Sequence, residues 1–385
     1  MPVDFGGTNV TGIHPEAYAR LKRYLGIEAG AVRIFDVEGL AAEVELPVIE
    51  ALGGDFLYIK RLNYRYGVPN RDWRSWKLPS GLTVELAGGY DLRRRPGGTR
   101  IAHDGVPVAD MPDGASGFDP VAPAGPRPRP DDLRFPALTD EDCRHLEQTS
   151  RAAYEGTNLS LTGEWHGKGL LGAGCLYAGG MESFLCDLLA DPPYAHAVLE
   201  RYTGHYLAQL PAFFQAVGRR LDVYNFYDDF GTQSAPLVSP GLFREFFAPR
   251  YRSIIDAIKA LSGCRVFFLS CGAIRGLIPD MIAMGVDCLN PVQPGLPGME
   301  PSSLAAEFGD RLVFWGGAVN AQTTLESGPP DDVRREALSN AAALSSRGGY
   351  VFAASHNISR GVPPANVAAL FAAAREAAAR EEAPR

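Results

Sequence analysis

The sequence lacks three features that would each point to a class of protein. It contains no run of 18 apolar residues, so no helix is expected to cross a membrane. Its 37 lysines and arginines are outnumbered by 45 aspartates and glutamates, and the net charge of -8 argues against a nucleic-acid partner. Its six cysteines include no CxxC pair, which favours reduced thiols over a disulfide framework.

The opening residues, MPVDFGGTNVTG, also lack the basic and apolar regions of a secretory signal. Together with reduced thiols, this predicts a cytoplasmic protein. The sequence does contain 46% hydrophobic residues over 385 positions, which is enough for a large core. Because α/β barrels often reach this length as one domain, we expect a single domain over 1–385.

Short apolar segments alternate with helical patterns along most of the chain, which is typical of a parallel sheet with helical crossovers. The strands are predicted at 55–60, 159–164, 222–227, 265–269, 286–289, 312–315 and 350–354. An eighth, which would close a (β/α)8 TIM barrel, is expected near 170–178. An open doubly wound sheet is the rival fold, but no GxGxxG follows the early strands.

The chain before residue 138 differs from this alternation. Residues 14–26 and 38–54 show apolar residues at helical spacing and end in glycine, so they predict amino-terminal helices. Residues 76–136 alternate β-branched and polar residues between glycine turns and end in a proline-rich stretch. We expect this segment to be a small antiparallel β-meander and connector inserted in the barrel domain.

Polar side chains follow every predicted strand, where the loops of a TIM barrel build the active site. The candidates for binding a substrate are Lys60, Arg61, Gln233, Asn290, Gln293, Asn320 and Asn357. Asp228 and Asp229 end one strand, and alternation along that strand predicts that only one carboxylate points inward. We expect Asp229 to be that catalytic carboxylate and Asp228 to have a structural role.

Two strand ends are unusually similar, since VFFLSCGAIRG (266–276) and VFAASHNISRG (351–361) both place Ser before a potential metal ligand. These ligands are Cys271 and His356. If both face the mouth of a barrel, they could share a substrate or a metal ion, with Glu164, His166 or Asp229 as a third ligand. Alternatively, Cys271 packs in the wall and His356 bonds a backbone carbonyl.

The segments DDFGTQSAPLVSP (228–240), LSCGAIRGLIPDMIAMGVDCLNPVQP (269–294), EFGDRLVFWGG (307–317) and GGYVFAASHNI (348–358) carry a family resemblance. Together they resemble the uroporphyrinogen decarboxylase superfamily, and within it the branch of cobalamin-dependent (methylcobamide) methyltransferases. The resemblance implies a (β/α)8 barrel with a funnel at the carboxyl ends of its strands. It also implies an enzyme, and family members are often homodimers.

The two chemistries of that superfamily make different demands on this chain. The decarboxylases of porphyrin biosynthesis use no metal, and they hold a tetrapyrrole through an early arginine-rich motif and an aspartate. This chain offers Arg61 and Arg65 there, without the full pattern. The methyltransferases bind zinc through His-x-Cys and a late Cys. Here Cys271 matches, Leu269 replaces the histidine, and His356 stands where the late cysteine would be.

Three functions therefore remain open from the sequence. The first is methyl transfer between a small substrate and a cobalamin-carrying (corrinoid) protein, with or without zinc. The second is a uroporphyrinogen decarboxylase-like lyase that acts on a polycarboxylate without metal. The third is a barrel that has lost catalysis and only binds a small molecule or a corrinoid protein. We favour the first, because the chain resembles the methyltransferase branch more closely, and the intact polar residues at the strand ends weigh against the third.

Overall fold

The computed structural model describes residues 1–28, 30–121, 127–166 and 168–382. The chain divides into two compact units. The first unit comprises Met1–Val121, Gly316–Ser345 and Tyr350–Arg385, and the second comprises Ala122–Trp315 and Ser346–Gly349. In the described part of the chain, no helix combines the length and apolarity needed to cross a membrane.

The second unit is α/β, with parallel strands that follow one another in sequence order. The strands are Ser160–Gly163, Val223–Tyr227, Arg265–Leu269, Cys288–Asn290 and Val313–Trp315. Each of the first four pairs in parallel with the next, for example through Tyr224 beside Val266 and Phe268 beside Leu289. Nearly all of their residues are buried, as the apolar runs without alternation predict.

Helices connect these strands. They are Asp140–Gly156, Leu170–Tyr177, Met181–Ala190, Pro192–Val217, Pro240–Leu242, Ala248–Leu261, Ile278–Ala283 and Pro301–Phe308, with a π-helical turn at Phe243–Phe247 and 3₁₀ turns at Pro130–Asp132, Gly218–Arg220 and Arg275–Leu277. Thr139 caps the first of these helices in a capping box with Asp142. Asp191 separates the helices Met181–Ala190 and Pro192–Val217 and caps the second through the Tyr194 N–H.

The first unit contains the two remaining predicted parallel strands, Phe56–Ile59 and Tyr350–Val351. A strand therefore forms at each of the seven predicted positions. The expected eighth strand near 170–178 is wrong, because Leu170–Tyr177 is a helix. The amino-terminal residues contact both of these strands: Val3 forms a parallel bridge with Phe352, and the Asp55 backbone N–H donates to the Val3 carbonyl.

Two small sheets precede the helical part of the chain. Strands Ala41–Ala42, Arg33–Asp36, Thr83–Leu86 and Arg74–Lys77 form a mixed sheet, and strands Asp119–Pro120, Val106–Pro112, Gly98–His103 and Asp91–Arg95 form an antiparallel one. Asn63–Arg65 and Val68–Pro69 make a separate antiparallel pair. The expected antiparallel pairing within 76–112 is present, although Thr83–Leu86 also pairs in parallel with Arg33–Asp36. That this segment is an insertion in a barrel stays a prediction, and residues 122–126 of the connector lie outside the described residues.

The predicted helix over 38–54 is shorter in the structure, where only Leu46–Leu52 is helical. Pro47 lies in the first turn of this helix, a position where the missing backbone N–H of proline costs nothing. The residues before it pair as the short strand Ala41–Ala42. The other helices of the first unit are Pro15–Tyr24, Thr324–Ser327, Pro330–Leu344 and Pro364–Glu382.

Candidate active site at the strand ends

The parallel register of the second unit decides which side chains share a face at the carboxyl ends of its strands. Tyr227 lies beside Leu269, and Leu269 lies beside Asn290. Laterally paired residues of parallel strands point to the same face, so these three side chains share one layer. Asn290 is fully buried and donates from Nδ2 to the Trp315 carbonyl at 2.9 Å.

Asp228 is a buried carboxylate that fixes the start of a helix. Its Oδ2 accepts from the Leu171 backbone N–H and from the Tyr251 hydroxyl, both at 2.7 Å, and its Oδ1 accepts from the Gly172 N–H at 2.8 Å. Burial raises the pKa of Asp228 to about 7, against these three hydrogen bonds, which favour its ionised form. These contacts agree with the structural role expected for this residue.

Asp229 differs from its neighbour because it is exposed. Its Oδ1 accepts from the Cys271 backbone N–H at 2.8 Å, and this contact links the loops that follow two adjacent strands. Burial raises the pKa of the Cys271 thiol well above its usual range, with further contributions from the Asp229 charge and hydrogen bond. Cys271 is therefore a neutral thiol at neutral pH, next to an accessible carboxylate.

The same two loops make a close backbone contact. Gly272 has φ of +96°, and a Cβ there would overlap the carbonyl carbon of Gly231. The Gly272 N–H donates to Gln293 Oε1 at 2.6 Å, so Gln293 is anchored to this loop. Gln233 lies in the turn after Gly231 and is exposed. Glycine is required at 272 because a side chain fits neither the φ angle nor the space.

Glu164 and His166 follow the strand Ser160–Gly163, and both are buried. The Tyr227 hydroxyl donates to Glu164 Oε2 at 3.5 Å, which places this carboxylate beside the layer of Tyr227. His166 Nδ1 lies 2.8 Å from the Tyr202 hydroxyl and accepts from the Lys168 N–H at 3.2 Å. The structure therefore brings Glu164 to the candidate site and engages His166 with a helix.

The predicted basic residues of the first unit are paired with its own acceptors. Lys60 Nζ lies 3.2 Å from Glu43 Oε1, and the buried Arg61 donates to the Tyr64 carbonyl at 3.0 Å. Arg65 binds Asp36 through two hydrogen bonds of 3.0 and 2.7 Å. The ion pairs of Lys60 and Arg65 offset charge that a polycarboxylate would need, whereas the carbonyl bonded to Arg61 leaves its charge in place.

The two predicted asparagines of the first unit serve mainly as local anchors. Asn320 Oδ1 accepts from the backbone N–H groups of Gln322 and Thr323. Asn357 accepts from the Gly12 N–H at 2.7 Å and donates to the Asn9 carbonyl at 2.9 Å, which ties its strand end to the amino-terminal loop. His356 precedes it and is half-buried.

The zinc set expected from the resemblance does not fit the described residues. Nowhere in 1–28, 30–121, 127–166 and 168–382 do three His, Cys, Asp or Glu side chains lie together in a possible metal site. Leu269, whose side chain cannot bind a metal, lies in the layer between Tyr227 and Asn290. Because no complete donor set is present among the described residues, we assign no step to a metal.

Three tyrosines near this site were not among the predicted functional residues. Tyr251 and Tyr202 come from helices and Tyr227 from the last position of a strand, and each hydroxyl contacts a predicted site residue. The sequence signal for them was weak, because a tyrosine in an apolar pattern is usually a core residue. Only their contacts identify them.

The comparison with protein families decides the identity of the fold family. The family model described as uroporphyrinogen decarboxylase (URO-D) matches residues 173–377, more than half of the chain. The chain belongs to the URO-D family. This confirms the resemblance predicted from the strand-end segments.

Solved structures add a likeness in fold to this URO-D assignment. A methyltransferase from Methanosarcina mazei matches with a TM-score of 0.60 and 19% identity, over 97% of this chain and 93% of that chain. A D-psicose 3-epimerase, solved in the presence of D-fructose, matches with a TM-score of only 0.34 and 11% identity, over 63% and 83%. No curated protein matches the sequence. The methyltransferase thus shares the fold of this URO-D member.

Proposed function

We propose that this URO-D family member is an enzyme that transfers a methyl group between a small substrate and a corrinoid carried by a partner protein. The proposal places the reaction at the carboxyl ends of the parallel strands and includes the closure of these strands into an eight-stranded barrel. The fold shared with a methyltransferase supports it. The corrinoid would supply the cobalt centre that carries the methyl group.

The observation that carries this proposal is the contact between Asp229 and Cys271. Transfer of a methyl group from an oxygen, nitrogen or sulfur donor leaves a basic atom that needs a proton, and transfer to such an atom releases one. An exposed carboxylate at a strand end can hold that proton in either direction. The neutral thiol of Cys271 is a poor nucleophile, so it would not compete for the methyl group.

Glu164 and Tyr227 have a binding role in this proposal. Glu164 is buried, and its carboxylate lies beside the Tyr227 hydroxyl on the face that also carries Leu269. Leu269 adds an apolar surface to that layer, suited to a methyl group and unable to bind a metal. The proposed reaction therefore relies on protein acid–base groups rather than on zinc.

Substitution of Asp229 tests the proposal. We expect Asp229→Asn to lower the rate of methyl exchange with free cobalamin at least about a hundredfold, the usual contribution of a general acid or base. Asp256→Asn is the matched control, since Asp256 is an exposed carboxylate on a helix of the same unit. The rate would be measured from the absorbance of the corrinoid with a panel of O-, N- and S-methylated donors.

An unchanged rate in Asp229→Asn would remove this carboxylate from the mechanism. A loss of activity in Asp228→Asn alone, with unchanged folding, would reverse the roles proposed for the two aspartates. The decarboxylase function has weaker support, because Lys60 and Arg65 are ion-paired within the first unit and Arg61 is buried against the Tyr64 carbonyl.

A further inference from the structure

A cavity of about 470 Å³ lies in the second unit at the amino ends of its strands. Arg265, Cys288 and Val313 line it, and each is the first residue of its strand. Because parallel strands end on the opposite edge, this cavity lies away from the polar residues of the candidate active site. Loops at this end of an α/β barrel do not usually contribute catalytic residues, so the proposed reaction does not explain this cavity.

Three arginines line this cavity, and among the described residues none of them has a short ion pair. Arg265 Nη1 lies 3.8 Å from Asp287 Oδ1, and Arg347 Nη1 lies 3.9 Å from Asp310 Oδ2. Arg311 Nη2 reaches the Glu307 carbonyl at 3.5 Å. These distances exceed those of good charge-assisted hydrogen bonds, so all three groups keep donors for another acceptor.

The two carboxylates in the cavity do not cancel this positive charge. Asp287 is already engaged, because its Oδ2 lies 3.0 Å from Lys259 Nζ and accepts from the Val266 N–H at 2.8 Å. Asp310 is mostly exposed and stays 3.9 Å from Arg347. The net charge of the side chains around the cavity is therefore positive, and this charge attracts an anion.

Glycines let the walls of the cavity approach each other. A Cβ on Gly348 would overlap the Gly309 carbonyl oxygen, and one on Gly349 would lie 2.9 Å from Val313 Cγ2. The two loops that carry Arg311 and Arg347 can therefore pack only with glycine at 348. This packing fixes the relative positions of the two arginines.

We propose that this cavity binds the phosphate group of a small phosphomonoester. Guanidinium groups from the start of a strand and from two loops can surround a tetrahedral oxyanion and share its oxygens, whereas a planar carboxylate is matched by a single arginine. The cavity is also within the size range of small-molecule sites, which leaves room for the organic part of the ester. This site is independent of the methyl-transfer proposal.

Calorimetric titration of the full chain with inorganic phosphate and with glycerol 3-phosphate tests this site. We expect both to bind, and the combined substitution Arg311→Gln with Arg347→Gln to weaken binding at least about tenfold, the effect of one lost charge-assisted bond. Asp310→Asn should tighten binding, because it removes the carboxylate that competes for Arg347. All three side chains are exposed, and thermal melting would verify that each variant folds.

Arg252→Gln serves as the control, since Arg252 is exposed on a helix of the same unit and lies outside the cavity. It should bind phosphate as the native chain does. Absence of binding to the native chain would overturn the proposal. Equal binding by the double variant, or weaker binding by Asp310→Asn, would overturn it as well.

Discussion

At the scale of single residues, Asp228 and Tyr251 form the best-defined polar unit of the candidate site. The Tyr251 hydroxyl donates to Asp228 Oδ2 and accepts from the Leu170 backbone N–H at 2.9 Å. Both residues are buried. Each hydrogen bond therefore holds the helix Leu170–Tyr177 against the strand end that carries Asp228.

We expect Tyr251→Phe to lower the free energy of unfolding by about 1–3 kcal/mol, because it leaves the Leu170 N–H and one Asp228 oxygen without this partner. Tyr350→Phe is the control. Within the described residues the buried Tyr350 hydroxyl has no hydrogen-bond partner, so its removal should cost little. Urea unfolding of the two variants measures the difference, and equal losses would contradict the role given to Tyr251.

The raised pKa of Asp228 predicts a pH dependence of stability. Its pKa is about 7 in the folded chain against an ordinary value of 3.8, so the folded chain binds the proton more tightly than the unfolded chain does. The stabilisation is complete below about pH 4, is lost as the pH rises to about 7, and is constant above that. The difference between the two pKa values corresponds to at most about 4 kcal/mol.

Asp228→Asn should therefore flatten the decrease in unfolding free energy between about pH 4 and pH 7. The variant should also be less stable throughout, because the amide places a donor against one of the backbone N–H groups. Urea unfolding across this pH range measures both effects. The control Asp256→Asn should keep the native slope. If Asp228→Asn keeps it as well, a group other than Asp228 titrates in this range.

At the scale of elements, some positions require glycine and others merely accept it. Gly272 needs φ of +96° and close contact with Gly231, whereas Gly204 lies exposed within the helix Pro192–Val217 with open space at its Cβ position. We expect Gly272→Ala to destabilise the fold and Gly204→Ala to stabilise it by about 0.5–1 kcal/mol. Thermal melting of both variants checks the opposite signs.

The elements also show what sequence patterns can and cannot predict. Buried apolar runs located the seven strands of the parallel sheet. The pattern at 170–178 failed because its small and apolar residues suit a buried helix as well as a strand. Val3 gave no periodic signal, since its pairing with Phe352 depends on a distant part of the chain.

At the scale of the whole molecule, alternation and motifs predicted the α/β class and the URO-D family, and the polar strand ends were visible in the sequence. The side-chain contacts that define the roles of these residues could not be predicted from the sequence. Alternation could not reveal that Asp228 holds a helix through Tyr251, or that Asp229 contacts Cys271. The shared ligand of Cys271 and His356, the corrinoid partner and the homodimer stay predictions.

The central claim is methyl transfer with a corrinoid, and the corrinoid spectrum tests it most directly. The native chain would be mixed with reduced cobalamin and a panel of methylated donors, and with uroporphyrinogen in a parallel reaction. We expect enzyme-dependent formation of methylcobalamin with at least one donor and no coproporphyrinogen. Coproporphyrinogen formation without any change in the corrinoid spectrum would contradict it.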